Sequence, residues 1–262
     1  SYSQYSTWAQ CPHKWKLQSV DKHKNPPSIE LTFGTAMHTA LQHYLKVMYE
    51  KSGAAADRED IIGLFENTFR QVNIALVNEF AQISYALGIP TRETIEAAST
   101  KPYGFMKFTP SAGVGGHCIP VDPTYLAEVA EAHGAPATFI RRANEVNLEV
   151  SQYIVERIKS DHAGNLHGKN ILVVGVAYKP DVSDVRETAA ELVIKHLREE
   201  GAVVSWHDEL VKNWKGESSA PLSGADIAVV VTKHNSIDAK NILASAPYVF
   251  DTTGIVTGAR QL

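Results

Sequence analysis

Asn170-Ile-Leu-Val-Val-Gly-Val-Ala-Tyr178 is the stretch on which the fold turns. An unbroken apolar run this short, rich in branched residues, reads as a parallel strand buried on both faces. The chain after it supports that reading. Thr188 to Glu200 has the pattern of a helix ending at Gly201, and Ala202 to Trp206, Ala225 to Thr232 and Pro247 to Phe250 follow as further strands. Strands alternating with helices predict a small doubly wound α/β domain.

Upstream, the pattern is helical. Tyr125 to Ile158 carries helical periodicity broken near Gly134 to Pro136, and residues 91 to 99 predict a short helix. From about Ile61 to Leu87 runs an amphipathic helix whose apolar side includes Leu64, Phe65, Ile74, Leu76, Val77 and Phe80, with Gly88 and Pro90 as stop signals. Thr100 to Pro123 lies between these helices, rich in glycine and proline and without periodicity, as functional loops often are. The first fifty residues differ again. Ser1 to Lys24 mixes aromatic and basic residues, Asn25-Pro26-Pro27 breaks the chain, Phe33 to Tyr49 has helical spacing, and Lys51 to Asp60 reads as a polar connector or a helix start, with Asp57 or Asp60 able to cap it.

Composition narrows the function classes. At 262 residues, 44% hydrophobic and 21% charged, the chain has enough apolar content for a core. A net charge of -4 and a pI near 6.3 give no electrostatic case for nucleic acid or anionic membrane. Two cysteines cannot form a disulfide framework or an all-cysteine metal site. No apolar run approaches the roughly 20 residues of a membrane span and no opening segment reads as a signal peptide, so a cytoplasmic protein is the expectation.

The densest chemical signal is Gly113 to Pro123 (GVGGHCIPVDP). Glycines let a ligand approach Cys118 closely, neighbouring N–H groups can lower a thiol pKa and hold an oxyanion, and Asp122, four residues on, can orient a water or take a proton. The competing reading is a glycine turn around a buried, inert cysteine. His117 either tunes the thiolate or faces solvent. Trp206-His207-Asp208, at a strand end, contacts a ribose or closes the strand.

Four separated motifs, in order, carry a resemblance: Phe65 to Glu79 (FENTFRQVNIALVNE), Thr100 to Phe108 (TKPYGFMKF), Gly113 to Asp122, and Gly175 to Thr188 (GVAYKPDVSDVRET). Together they resemble the UDP-glucose/GDP-mannose dehydrogenase family, in wording nearest its UDP-N-acetylglucosamine and UDP-N-acetylmannosamine 6-dehydrogenase branch. The resemblance implies NAD-dependent oxidation of a sugar C6 alcohol to a carboxylate. It makes Cys118 the nucleophile that captures the aldehyde and forms a thioester, Asp122 the carboxylate assisting water or thiol, and Asn67 the amide on the oxyanion. Substrate binding falls to Phe108, Gly113, Gly115, Gly116, Tyr178 and Lys179, and contact with the NAD pyrophosphate to Arg186. The implied fold is α/β: a helical central dimerisation region at 61–165, then a small Rossmann-like UDP-binding domain at 166–262. The implied partners are a UDP-sugar and a second copy of the chain.

Two departures qualify this. No G-x-G-x-x-G turn stands in these 262 residues, since Gly175 has no second and third glycine at the required spacing. The family also places a lysine four residues before Asn67, where this chain has Gly63, and Glu59 and Asp60 have the wrong sign to replace it. The expectation is a chain without turnover of its own. Residues 1–60 resemble something else. Ser3 to Leu17 (SQYSTWAQCPHKWKL) and Phe33 to Leu41 (FGTAMHTAL) are similar to the opening of RecB-type and phage PD-(D/E)XK exonucleases, in which His38 would join carboxylates around a divalent metal. The acidic and E-x-K residues that would complete that site do not follow, and one histidine does not hold a hard cation. The sequence therefore reads as two incomplete pieces joined near Asp57 to Arg70. Three functions compete: a UDP-sugar dehydrogenase portion, a non-catalytic dimerising UDP-sugar-binding module, and a DNA exonuclease fragment.

Overall fold

The computed structural model describes residues 58–262. The expected front segment 1–60, with His38, lies outside those residues apart from the start of the first helix.

Helix α1 (Arg58–Ala86) is followed by α2 (Thr91–Ser99), α3 (Cys118–Ala132) and α4 (Thr138–Asp161). The α/β part holds β1 (Asn170–Val174), α5 (Ala189–Glu199), β2 (Val203–His207), a small hairpin of β3 (Asn213–Trp214) and β4 (Glu217–Ser218), β5 (Ile227–Val230), α6 (Ala239–Ser245), β6 (Tyr248–Asp251) and β7 (Arg260–Gln261). No helix among the described residues is long and apolar enough to cross a membrane.

The main sheet has the order β2-β1-β5-β6-β7, parallel throughout. Ile171 to Val174 and Ile227 to Val230 pair residue for residue at its centre and are buried on both faces, which explains their unbroken apolar composition. Trp206 and Phe250 are the largest fully buried side chains. The chain runs outward from β1 to β2 and then returns to β5 on the other side. A doubly wound sheet binds ligands at such a reversal, outside the carboxyl ends of the two central strands. Here those ends are Gly175 to Asp181 and Val231 to Asn235.

The α/β reading is borne out, with shifts at the edges. The run 170–178 is a strand only to Val174, because Gly175 takes φ +84° and turns the chain away. The hairpin, α6 and β7 are too short for periodicity to reveal. The loop expected to reach Pro123 ends at His117, and Cys118 begins a helix. Pro120 suits that helix's first turn, where no intrahelical N–H partner is required.

Candidate active site

Helix α1 builds one wall by presenting amides along a single face. Asn67 Nδ2 donates to Asp122 Oδ2 at 2.7 Å. One turn on, Gln71 Nε2 donates to Asn144 Oδ1 at 3.0 Å, and the Gln71 backbone carbonyl accepts from Asn147 Nδ2 at 3.0 Å. Further along, buried Asn78 donates to Asn147 Oδ1 at 3.1 Å and accepts the Ser111 N–H at 2.9 Å. This polar ladder sets α1 against α4 and pins the start of the glycine loop. Gln71, Asn78 and Asn147 escaped the reading of apolar periodicity. Their signal was amides recurring at helical spacing on the inner face.

The loop is held from four sides. Phe108 meets Phe69 of α1 edge to face at 6.0 Å, and Arg92 reaches the Pro110 carbonyl at 3.4 Å and the Thr252 carbonyl, past β6, at 3.0 Å. A Cβ at Gly113 would meet the Asn147 carbonyl at 2.9 Å, and one at Gly116 would strike the Tyr178 ring at 2.9 Å. Glycine is needed at both because backbone lies against backbone and ring at φ +132° and +90°. The loop is thereby seated on the turn after β1, which carries Tyr178 and Lys179.

Cys118 and Asp122 stand four residues apart at the start of α3, on one face, with Asn67 across from them. The thiol is exposed. Burial of its surroundings and the charge of Asp122 push its pKa up, with Arg186 pulling the other way. The amide-lowered thiol expected from the glycine loop is therefore corrected. His117 at the N-cap position does not cap with its side chain, and desolvation, then the carboxylate one turn away, disfavour the thiolate at this helix start. Arg186 is held by Asp184 through Nε at 2.9 and 3.0 Å and through Nη2 at 2.5 Å. Lys179 is exposed, its ammonium 5.2 Å from the Tyr178 ring, and among the described residues no carboxylate pairs with it.

The turn after β1 does not fit a dinucleotide. A Cβ at Gly175 would fall inside the Thr232 carbonyl, so backbone fills the space a pyrophosphate would need. The Val176 and Ala177 N–H groups are spent on Asp208 Oδ2 at 2.9 and 3.1 Å. Asp208 is 1% exposed and closes the strand ends, so of the two readings of this segment the structural one holds over contact with a ribose. Trp206 is equally buried, and His207 bonds the Ala220 carbonyl at 2.7 Å. No group of three or more potential metal ligands occurs among the described residues.

These features define a class: a doubly wound α/β domain whose turn after β1 lies against a glycine loop that leads into a cysteine–aspartate–asparagine cluster on the helical part. Models of the UDP-glucose/GDP-mannose dehydrogenase family match on both parts, the central domain at residues 59–149 and the UDP-binding domain at 172–258, together more than half of the chain. The chain belongs to this family over those residues. The PD-(D/E)XK nuclease superfamily model matches residues 1–100, as the front motifs implied, and overlaps the central domain on α1 and α2. Among curated relatives, the chain is 36% identical over 213 residues to a UDP-N-acetyl-D-mannosamine dehydrogenase of Methanocaldococcus jannaschii, covering 77% of this chain and 48% of the relative. It is 36% identical over 151 residues to a UDP-N-acetyl-D-glucosamine 6-dehydrogenase of Pseudomonas aeruginosa, covering 56% of this chain and 35% of the relative. The solved UDP-D-ManNAc dehydrogenase of Pyrococcus horikoshii superposes with TM-score 0.64 at 29% identity, covering 76% of this chain and 49% of that one. The chain thus spans about half the length, or less, of these relatives.

Proposed function

We propose that residues 59–262 are the substrate half of an NAD-dependent UDP-sugar 6-dehydrogenase, and that in this chain they act as a UDP-sugar-binding module. The observation that carries the reading is the convergence of Asn67 on Asp122 at 2.7 Å, one turn from Cys118, beside the glycine loop seated on Tyr178. Relatives named as UDP-N-acetylmannosamine and UDP-N-acetylglucosamine dehydrogenases indicate the substrate class.

In this reading Lys179 meets the nucleotide-sugar phosphates in the crevice, and Phe108 with the backbone of Gly113 to Gly116 encloses the sugar. The Cys118 thiolate adds to a C6 aldehyde, and the oxygen that gains the electron pair accepts a hydrogen bond from Asn67. At the thioester stage Asp122 takes the proton of the attacking water, and Cys118 leaves as thiolate. NAD supplies the oxidising power in the whole enzyme. The described residues do not cradle a dinucleotide, Arg186 alone being offered to one, so no oxidation step is assigned to them.

Gly63 in place of the family lysine, on the face of Asn67, favours the binding module over turnover by this chain. Self-association in this reading uses the outer stripe of α1, where Ile61, Phe65, Phe69, Leu76 and Ile83 lie exposed along one face. The exonuclease alternative has no residue of its candidate site among those described, and α1 and α2 already serve the central-domain architecture.

Calorimetric titration of the purified chain with UDP-N-acetylglucosamine and UDP-N-acetylmannosamine, against UDP alone, tests the binding function. Saturable heat with the sugar nucleotides and no NADH absorbance on adding NAD are expected. A folded chain giving no heat with any of them refutes the substrate site, and NADH production refutes the restriction to binding.

A further inference from the structure

His234 is fully buried just beyond the carboxyl end of β5, away from the cysteine cluster. Its Nδ1 accepts the Asp181 N–H at 2.8 Å, and its Nε2 lies 3.0 Å from Asp208 Oδ1. A backbone N–H can only donate, so Nδ1 carries no proton, and the ring hydrogen must sit on Nε2 and point at Asp208. Asp208 also accepts the Val176 and Ala177 N–H groups on Oδ2 and the Leu210 and Val211 N–H groups on Oδ1, at 2.9 to 3.1 Å. Burial raises this carboxyl's pKa, but the His234 and backbone bonds outweigh it, so it is held ionised below the usual range. Five donors therefore fix the carboxylate, and the carboxylate fixes the ring.

What the ring holds is the turn bearing Tyr178 and Lys179. Asp181 stands at φ +63°, a strained setting for a non-glycine residue, so the turn needs outside support. Its backbone N–H is taken by His234. Its carboxylate is clasped from the surface by Asn235, through the backbone N–H at 2.9 Å and Nδ2 at 2.5 Å. Lys179 lies two residues before this double anchorage.

We propose that His234 is a positioning residue for the nucleotide-sugar site, holding the 178–181 turn through the Asp181 N–H so that Lys179 faces the crevice at the sheet reversal. The proposal rests on the reading of Lys179 as a substrate-binding residue. In a Rossmann half, the acid ending β2 and the turn after β1 ordinarily meet a dinucleotide. Here they are bonded to each other, and the imidazole passes that rigidity to the turn.

Asparagine and glutamine separate the two bonds of the ring, since an asparagine side-chain oxygen overlays Nδ1 and a glutamine side-chain nitrogen overlays Nε2. His234→Asn therefore keeps the acceptor for Asp181, and His234→Gln keeps the donor for Asp208. Calorimetry with UDP-N-acetylglucosamine on the full 262-residue chain is expected to find H234N within about threefold of wild type and H234Q weakened roughly tenfold. The double variant K179A/H234Q is expected to bind no more weakly than K179A, because His234 acts through Lys179. Equal losses in H234N and H234Q, or losses that multiply in the double variant, would overturn the positioning role. A K179A chain that binds as wild type would instead remove the Lys179 reading, and the proposal with it. Should neither His234 variant fold by thermal melt, Asn235→Ala carries the test from the exposed side. Weakening that does not add to that of K179A supports the proposal, and unchanged affinity overturns it.

Discussion

Replacing Asn78 with alanine removes the rung that ties α1 to α4 and to the glycine loop at once. Asn78 is fully buried, donates to Asn147 at 3.1 Å and accepts the Ser111 N–H at 2.9 Å. Truncation leaves one buried carbonyl oxygen and one backbone N–H without partners, each costing about 1–3 kcal/mol. The loss is then about 2–6 kcal/mol. For a folded unit of this size that lowers Tm by roughly 4–24 °C. Asn73→Ala, one turn away, gives up only a bond to the Phe69 carbonyl on the same helix and should stay within about 0.5 kcal/mol of wild type. Differential scanning calorimetry of both variants measures the contrast. Because Ser111 opens the loop, N78A should also bind UDP-sugar more weakly than N73A at a temperature where both are folded. An N78A melt within about 2 °C of wild type would refute the ladder as the element that joins the helices.

Other perturbations separate the remaining parts of the account. Asp122→Asn removes the charge that disfavours the Cys118 thiolate, so alkylation of Cys118 should reach half its maximal rate at lower pH than in wild type, whereas Arg186→Gln should move it higher. Gly63→Lys meets no neighbouring atom within 4 Å and replaces glycine inside a helix; it should raise stability by about 0.5–1 kcal/mol and shift the same alkylation profile downward. Asp208 has a depressed folded pKa, so its contribution is fully present above the unfolded value of about 3.9 and is lost as pH falls below that through the folded value. Urea unfolding across acidic pH should show this slope in wild type and a flatter one in D208N. Gly175→Ala forces a methyl into the Thr232 carbonyl at positive φ, and soluble folded protein should be lost.

The sequence was most legible where burial imposes a simple period. The unbroken apolar runs at 170–174 and 227–230 are the two central strands, and α1 ends where Gly88 and Pro90 follow it. Cys118 and Asp122 stood out as a glycine-flanked cysteine with a carboxylate four residues on, and the family resemblance then set the nucleophile above the inert glycine turn. Less visible were groups whose importance comes from partners distant in the chain. Asn78 to Asn147 spans 69 residues, and His234 to Asp181 spans 53. Nothing local marks a buried amide or imidazole as a hub. Asp208 stood between two readings for a related reason: an acid ending the second strand suits a ribose or a strand end, and the fold decides for the strand end by placing backbone amides on it. The hairpin at 213–218 contributes two residues per strand, too few to leave a period.

If Cys118, the glycine loop and the Lys179 turn form a single UDP-sugar site, a bound sugar nucleotide shields the thiol. Ligand protection of the cysteines measures this: the chain is alkylated briefly with and without saturating UDP-N-acetylglucosamine, and labelling of each cysteine is read by peptide mass spectrometry. The sugar nucleotide is expected to slow labelling of Cys118 several-fold, UDP alone to slow it less, and K179A to abolish the protection. Labelling of Cys118 at the same rate with and without ligand, in a chain that binds the ligand calorimetrically, would place the nucleotide-sugar elsewhere and refute the single site.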